Sequence, residues 1–363
     1  MKSFSDDSQL PRPRSASAAR SRQDESPPLA SSGIKDVARQ ADVSIATVSR
    51  VLNNTCPVNA EKRERVERAI EELGYIPNPA ARSLLKRETG GFAILLPFIT
   101  GEFFSEFLTG LDTTAHDENY FTLVSASHRE EAHLRTAIRN LCRRVDGMLI
   151  MAPESSTSAL RSVIPAGLPV IYVNTKADDQ LDDVVNFDNY DGAYKIVSHL
   201  LDLGHRRIAI INGLPKTYDA IERLRGYQAA LRNYGVELDD QLEIPGDFTQ
   251  EAGYDGARVL MRMDNRPTAV FCANDNTAVG ALQVFQQAGI RVPEDIALAG
   301  FDDIPVANYL TPSITTIRVP MKVMGQWAIS RLIERVRSTS TLEPVQRMVP
   351  VELVVRGSTV PEK

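Results

Sequence analysis

Three cysteines in 363 residues, Cys56, Cys142 and Cys272, lie too far apart to make a metal-binding pair, and their odd number leaves no disulfide framework. They read as reduced thiols of a cytoplasmic protein. Apolar runs of membrane-spanning length are missing, so no membrane partner is expected. The first thirty residues, rich in Ser, Pro, Arg and acidic side chains, have no apolar centre and are not a secretory signal. There is no phosphate-binding glycine loop, no nucleophile elbow and no zinc-protease motif. His116, His128 and His133 have no ligand spacing, and Asp188-x-x-Asp191-Gly192 lacks the remaining ligands of a calcium loop. No catalytic residue, metal or cofactor is expected, and an enzyme is not. The one tryptophan, Trp327 in MGQWAISRLIERV, has the spacing of a packed helix.

The charge is unevenly placed. Residues 1–87 hold 15 Lys/Arg against 11 Asp/Glu, a net of +4 in a chain of net −6. The N-terminal part is therefore basic and the remainder acidic, as in a protein that meets phosphates with a small domain only. Residues 1–32 read as a disordered tail.

Residues 34–53, IKDVARQADVSIATVSRVLN, carry two helical patterns joined by a tight turn. Val37, Ala38 and Ala41 form one apolar face with Val43, and Val48, Val51 and Leu52 form the next. Asp42 is placed where the turn needs a positive φ, and Ser44 reads as the N-cap of the second helix. Ile45, Ala46, Ser49, Arg50 and Asn53 point away from the apolar side. This spacing predicts a helix-turn-helix whose second helix enters a DNA major groove. A third helix follows Asn59, with Val66, Ala69, Ile70 and Leu73 inward and Gly74 as its stop. Asn78-Pro79 then starts a helix of about two turns, too short to persist alone in water, so it should order only against a partner.

From Gly91 onward strands and helices alternate. Strands are predicted at 92–96, 121–125, 147–152, 170–173, 208–211, 269–272 and 296–300, with helices such as 191–203, 220–234 and 277–288 between them. That is more than one sheet, so two doubly wound lobes are expected. Ligands of such sheets sit at the carboxyl ends of the strands. Those ends carry Phe98, Thr100, Ser127, Asn174, Asn274-Asp275 and Asp302-Asp303, with Phe103, Phe104 and Phe301 nearby. Amides, hydroxyls and carboxylates beside flat apolar rings suit a sugar. Asp275 and Asp303 read as helix caps.

The chain resembles the LacI-type family of bacterial transcription regulators. The shared residues run in family order from Asp36-Val37-Ala38 and Thr47-Val48-Ser49-Arg50-Val51-Leu52-Asn53 through Pro77-Asn78 and Ala81-Arg82-Ser83-Leu84. They continue through Arg223-Leu224, Gly226-Tyr227, Ala273-Asn274-Asp275, Gly300-Phe301-Asp302-Asp303 and Leu310-Thr311-Pro312 to Ser358. The resemblance implies an all-α helix-turn-helix headpiece joined by a hinge helix to an α/β two-lobed domain of the periplasmic-binding-protein kind. It divides the chain into a tail (1–32), headpiece (33–76), hinge (77–89) and effector-binding and dimerisation domain (90–358). Lobe 1 would be about 90–187 and 318–345, and lobe 2 about 188–317 and 346–358. DNA contact would fall to Ser44, Ile45, Ala46, Thr47, Ser49, Arg50 and Asn53, and to Asn78, Ala81 and Leu84 of the hinge. Arg223, Asn274, Asp302 and Thr100, with Phe98, Phe103 and Ser127, would face the effector.

The expected partners are a palindromic operator, a small sugar-like effector and a second copy of the chain. A nucleobase or nucleoside effector is the alternative, as is a corepressor-dependent or activating mode. Three departures from the family pattern stand out: Asp42 in place of Gly, Gly33 in place of a Thr cap, and Gly101-Glu102 in place of Asn-Pro. A transport receptor of the same two-lobed fold would have no use for residues 34–85. An architectural DNA-binding protein would have no use for Arg223, Asn274 and Asp302.

Overall fold

The structure, a computed structural model, describes residues 33–53, 56–75, 88–99, 101–127 and 130–360. The tail, Thr100 and the short helix expected over 78–85, with Asn78, Ala81 and Leu84, lie outside the described residues. The chain divides into two compact units, a small one ahead of residue 82 and a large one after it.

The small unit is three helices, α1 (Ile34–Gln40), α2 (Ile45–Asn53) and α3 (Ala60–Leu73). Val37, Ala38, Ala41, Val48, Val51, Val66 and Ala69 are buried together, the set the helical spacing pointed to. Asp42 turns the chain at φ 45°, which an Asp tolerates better than most residues with a Cβ. Its carbonyl accepts from Arg65 Nη2 on α3 at 2.7 Å. Ser44 Oγ accepts from the Thr47 amide at 3.2 Å, capping α2. Gly33 has no side chain to cap α1, so Asp36 takes over: its Oδ2 accepts from the Gly33 amide at 2.9 Å. Asn59 caps α3 through the Glu61 amide, and Gly74 closes it at φ 56°.

The large unit continues with β1 (Gly91–Leu96), α4 (Glu102–Asp117), β2 (Phe121–Ala126), α5 (Glu131–Leu141), β3 (Gly147–Met151), α6 (Thr157–Arg161), β4 (Val170–Val173) and β5 (Asp183–Phe187). The second lobe holds α7 (Asn189–Asp202), β6 (Ile208–Ile211), α8 (Tyr218–Asn233), β7 (Glu243–Ile244), α9 (Gln250–Met261), β8 (Ala269–Cys272), α10 (Asp275–Gln287), β9 (Ala297–Ala299) and α11 (Pro305–Tyr309). The chain ends with β10 (Thr316–Arg318), α12 (Met321–Arg337), β11 (Gln346–Val349) and β12 (Glu352–Val354). One sheet has the order β11-β5-β4-β3-β1-β2 and the other β7-β6-β8-β9, each parallel throughout. Their central strands are buried on both faces, as parallel strands under two layers of helix must be.

Three features were not anticipated. First, β5, β7 and the last three strands carry too few apolar residues in a row to stand out. Second, residues 346–349 belong to the first lobe, not the second, because β11 pairs in parallel with β5. Asp183 fixes that register, accepting from Arg331 Nε at 2.9 Å, Arg335 Nε at 2.5 Å and the Val345 amide at 2.9 Å. Third, β10 and β12 form an antiparallel two-stranded ribbon apart from both sheets.

Close approach sets the helix layer of the first lobe. A Cβ on Gly110 of α4 would sit 2.1 Å from the Lys322 carbonyl oxygen of α12. Only glycine fits at that crossing. Trp327 on the same helix is partly buried against the core, with the Arg347 guanidinium 5.5 Å from its ring.

Candidate functional site

Two surfaces carry the residues singled out by the sequence. On α2, Ile45 is 45% exposed, and Ser44, Ala46 and Arg50 are exposed as well, with Thr47 and Ser49 half-buried. The opposite side of the helix, Val48 and Val51, is in the core. One face is thus committed to folding and the other is open. The Ser44 and Thr47 hydroxyls are 3.0 Å apart, so part of their polar capacity serves the cap itself. Asn53 ends the helix. Arg50 makes no hydrogen bond or ion pair among the described residues.

The second surface is a cleft of about 310 Å³ in the large unit, lined from both lobes. Phe98, Phe103 and Phe104 come from the first lobe, just after β1 and at the start of α4. Asp219 and Arg223 come from α8, Asp247 to Gln250 from the turn into α9, Asn274 and Asn276 from the start of α10, and Asp302 from the turn after β9. The parallel sheets bring these chain-distant positions to one place, the carboxyl ends of their strands.

Arg223 is the centre of the cleft. It is 2% exposed, and its Nε donates to Asn189 Oδ1 at 2.9 Å and its Nη2 to Asp302 Oδ1 at 3.2 Å. Nη1 donates to the Ala273 carbonyl. The guanidinium lies 3.7 Å from the Phe301 ring centroid and 5.6 Å from that of Phe248. It is therefore oriented by hydrogen bonds in its plane and by a ring on its face. Burial pushes the Asp302 carboxyl up to about 7; Arg223 opposes that shift and Asp219 adds to it. Asp302 holds φ 108° and Phe248 φ 71°, so two residues of the wall sit in backbone conformations that favour glycine.

Asn274 is both wall and cap. Its Oδ1 accepts from the Thr277 amide at 2.9 Å and the Thr277 hydroxyl at 2.7 Å, while Nδ2 donates to the Phe248 carbonyl at 3.1 Å. The expected capping role of Asp275 therefore belongs to Asn274. Asp275 is wholly buried instead, accepting from the Thr316 hydroxyl at 2.6 Å and the Ile304 amide at 2.9 Å. Its carboxyl is raised well above the usual range, by burial first and then by Asp302. Asp303 is not a cap either. It binds Arg318 Nε at 2.7 Å and Arg356 Nη2 at 2.5 Å, tying the β10 ribbon to the second lobe.

Of the expected cleft residues, Phe98, Phe103, Arg223, Asn274 and Asp302 are brought together. Ser127 is not among the lining residues: it is buried at the end of β2 with its hydroxyl toward the Leu96 carbonyl at 3.4 Å. Thr100 lies outside the described residues. The sequence reading missed Asp219, Asp247, Phe248, Thr249, Gln250 and Asn276. Asp219 could have been found, since it lies four residues before Arg223 and so on the same helix face. Thr249 caps α9 through the Ala252 amide at 3.1 Å, a detectable motif that would have placed Asp247 and Phe248 at a strand end. Among the described residues no group of three or more His, Cys, Asp or Glu could hold a metal ion. No helix among them is long and apolar enough to cross a membrane.

Comparison with known proteins covers both surfaces. Residues 33–78 match the family of bacterial regulatory proteins of the lacI type, and residues 197–359 match a periplasmic binding protein-like domain. The chain is 34% identical over 330 residues to the transcriptional repressor CytR of Escherichia coli K12, covering 90% of this chain and 96% of that protein. It is 35% identical over 318 residues to the ribose operon repressor of Haemophilus influenzae, covering 86% and 96%. The lac repressor dimer bound to operator and the anti-inducer ONPF superposes with a TM-score of 0.82 at 29% identity, covering 90% of this chain and 99% of that one. Helix-turn-helix, two-lobed domain and identity over 90% of the chain agree, and the chain belongs to the LacI family of bacterial transcriptional regulators.

Proposed function

We propose that this regulator is a homodimer that represses transcription at a palindromic operator, and that a small polyhydroxyl ligand in the cleft sets its affinity for that operator. The carrying observation is the arrangement of Arg223, a fixed planar donor group, beside Asp302 within a wall of phenylalanine rings. Carboxylate and guanidinium bind hydroxyls in defined directions, and flat rings cover the C–H faces of a sugar ring. The names of relatives point the same way: one is a ribose operon repressor, and a solved structure with a TM-score of 0.69 is a complex of the regulator CelR with cellobiose. Phe98, Phe103, Phe104 and Phe248 also support a second reading, a nucleoside, whose planar base would stack on such rings.

On the DNA side, α2 lies in the major groove. Arg50 reads guanine O6 and N7, and Ile45 and Ala46 meet a thymine methyl, the contact open to an apolar side chain. Ser44, Thr47, Ser49 and Asn53 complete that contact. Asn78, Ala81 and Leu84 of the hinge meet the operator centre, with Leu84 wedged into the minor groove.

A thermal-shift screen of free sugars and nucleosides against the full chain tests the cleft. A ligand at a hundredfold its Kd raises stability by about 2.7 kcal/mol in the wild type. Its effect should vanish in Arg223→Ala. A shift that persists undiminished in that variant places the ligand elsewhere.

A further inference from the structure

A second cavity lies in the first lobe, at the other end of its sheet from the cleft. It holds about 760 Å³, against about 310 Å³ for the cleft. Residues 164–170 lead into β4, 181–183 into β5 and 340–344 toward β11, so amino ends of strands build it as carboxyl ends build the cleft. Ile164, Leu168, Val170 and Leu342 give it half-buried apolar walls. Its charged groups are already paired. Arg161 donates to Asp179 Oδ1 at 2.9 Å and to Asp182 Oδ1 at 3.2 Å, and Asp183 accepts from Arg331 and Arg335. Glu343 is exposed and keeps its hydration.

Tyr172 stands apart from these. It lines the cavity at 2% exposure, near Arg161 and Asp182, and its hydroxyl has no hydrogen-bond partner among the described residues. Tyr227 shows the ordinary arrangement, its buried hydroxyl donating to the Ile208 carbonyl at 2.8 Å. A buried tyrosine hydroxyl usually finds such a partner. Burial pushes the Tyr172 hydroxyl well up from its ordinary range, so it keeps its proton and stays a donor at neutral pH.

We propose that this cavity is a second ligand site, separate from the cleft, for an uncharged amphiphile whose carbonyl or hydroxyl oxygen accepts from Tyr172. Its volume falls within the roughly 300–1,000 Å³ of small-molecule pockets, which combine apolar walls with a few placed polar groups. The apolar residues cover the body of the ligand and Tyr172 fixes its polar end. An ion entering the same space would lose hydration and find every buried counter-charge already taken. The site does not depend on what occupies the cleft.

The test is a fluorescence titration of the full chain at neutral pH with prodan, an uncharged naphthyl ketone whose emission moves to the blue when it leaves water. The expected result is saturable binding with blue-shifted emission. Tyr172→Phe removes only a hydroxyl that bonds to nothing within the fold, so Tm should hold while the prodan Kd rises about three- to tenfold, the worth of one neutral hydrogen bond. Ala166→Trp places a ring in the mouth of the cavity from an exposed position, where folding tolerates it, and should abolish saturable binding. Prodan bound in the cleft or on another apolar surface would ignore both substitutions. A Kd that neither variant changes, or no saturable binding by the wild type, overturns the second site.

Discussion

Two arginines mark the two proposed recognition surfaces, and they are held in opposite ways. Arg50 stands exposed on α2 without an ion pair among the described residues. Arg223 is 2% exposed, bonded at three nitrogens and laid on a phenylalanine ring. An exposed guanidinium keeps its hydration in the free protein and contributes little to folding. A buried one is part of the charge balance of the fold. The same residue type is therefore separable from stability on one surface and bound to it on the other. A DNA contact can wait for its partner, whereas a cleft that must distinguish small molecules has to be oriented before they arrive.

The largest effect that would break this contrast is at Arg223. Replacing it by Ala leaves Asp302 buried without its cation, and removal of one partner of a buried pair costs about 3–5 kcal/mol. Urea unfolding at pH 8 should show that loss. The loss should shrink near pH 5, where Asp302 can take a proton instead. Equal losses at both values would mean that Asp302 is not the group left exposed to the change.

Asp302 itself gives a second handle. Its carboxyl in the fold is pushed up to about 7 against an ordinary value of 3.8. Between those values the folded chain holds a proton that the unfolded chain has released, so this group lowers stability as pH rises through the window. Asp302→Asn should flatten that part of the stability profile, read as Tm against pH. A slope unaltered in the variant would assign the titration to another group.

On the other surface the predicted effects are smaller for the fold. Arg50→Ala should weaken binding to a selected palindromic site by about 1–3 kcal/mol and relax the preference at one base pair per half-site. Its unfolding free energy should stay within about 0.5 kcal/mol of the wild type. Equal weakening on random duplex would reduce Arg50 to a phosphate contact. Ser44→Ala removes the cap of α2 and should cost the headpiece about 1 kcal/mol, seen as earlier loss of helical signal.

The two regions also differ in how far they could be read from the chain. The headpiece core, from Val37 to Ala69, follows from helical spacing alone, because local sequence decides which side of a short helix is buried. The positive φ of Asp42 and the cap by Ser44 were legible for the same reason. Asp302 was reached from its place at a strand's carboxyl end and Arg223 only through resemblance to a family. Phe248 was legible only as the neighbour of the Thr249 cap: its place in the wall depends on a left-handed backbone and on Gly213, where a Cβ would stand 2.0 Å from the ring. β11 was placed in the wrong lobe since three of its four residues are exposed and its register is set from a distance by Asp183. Contacts between distant segments leave no periodic trace.

The central claim is that cleft and DNA surface are coupled. It is tested by measuring the operator Kd of the wild type and of Arg223→Ala, each with and without a saturating ligand taken from the thermal-shift screen. The account predicts that ligand changes the wild-type Kd by about five- to 150-fold, the range of ordinary allosteric coupling. In Arg223→Ala, assayed where it remains folded, the ligand-free Kd should match the wild type and the ligand should have no effect. A wild-type operator Kd that the bound ligand leaves unchanged would contradict it.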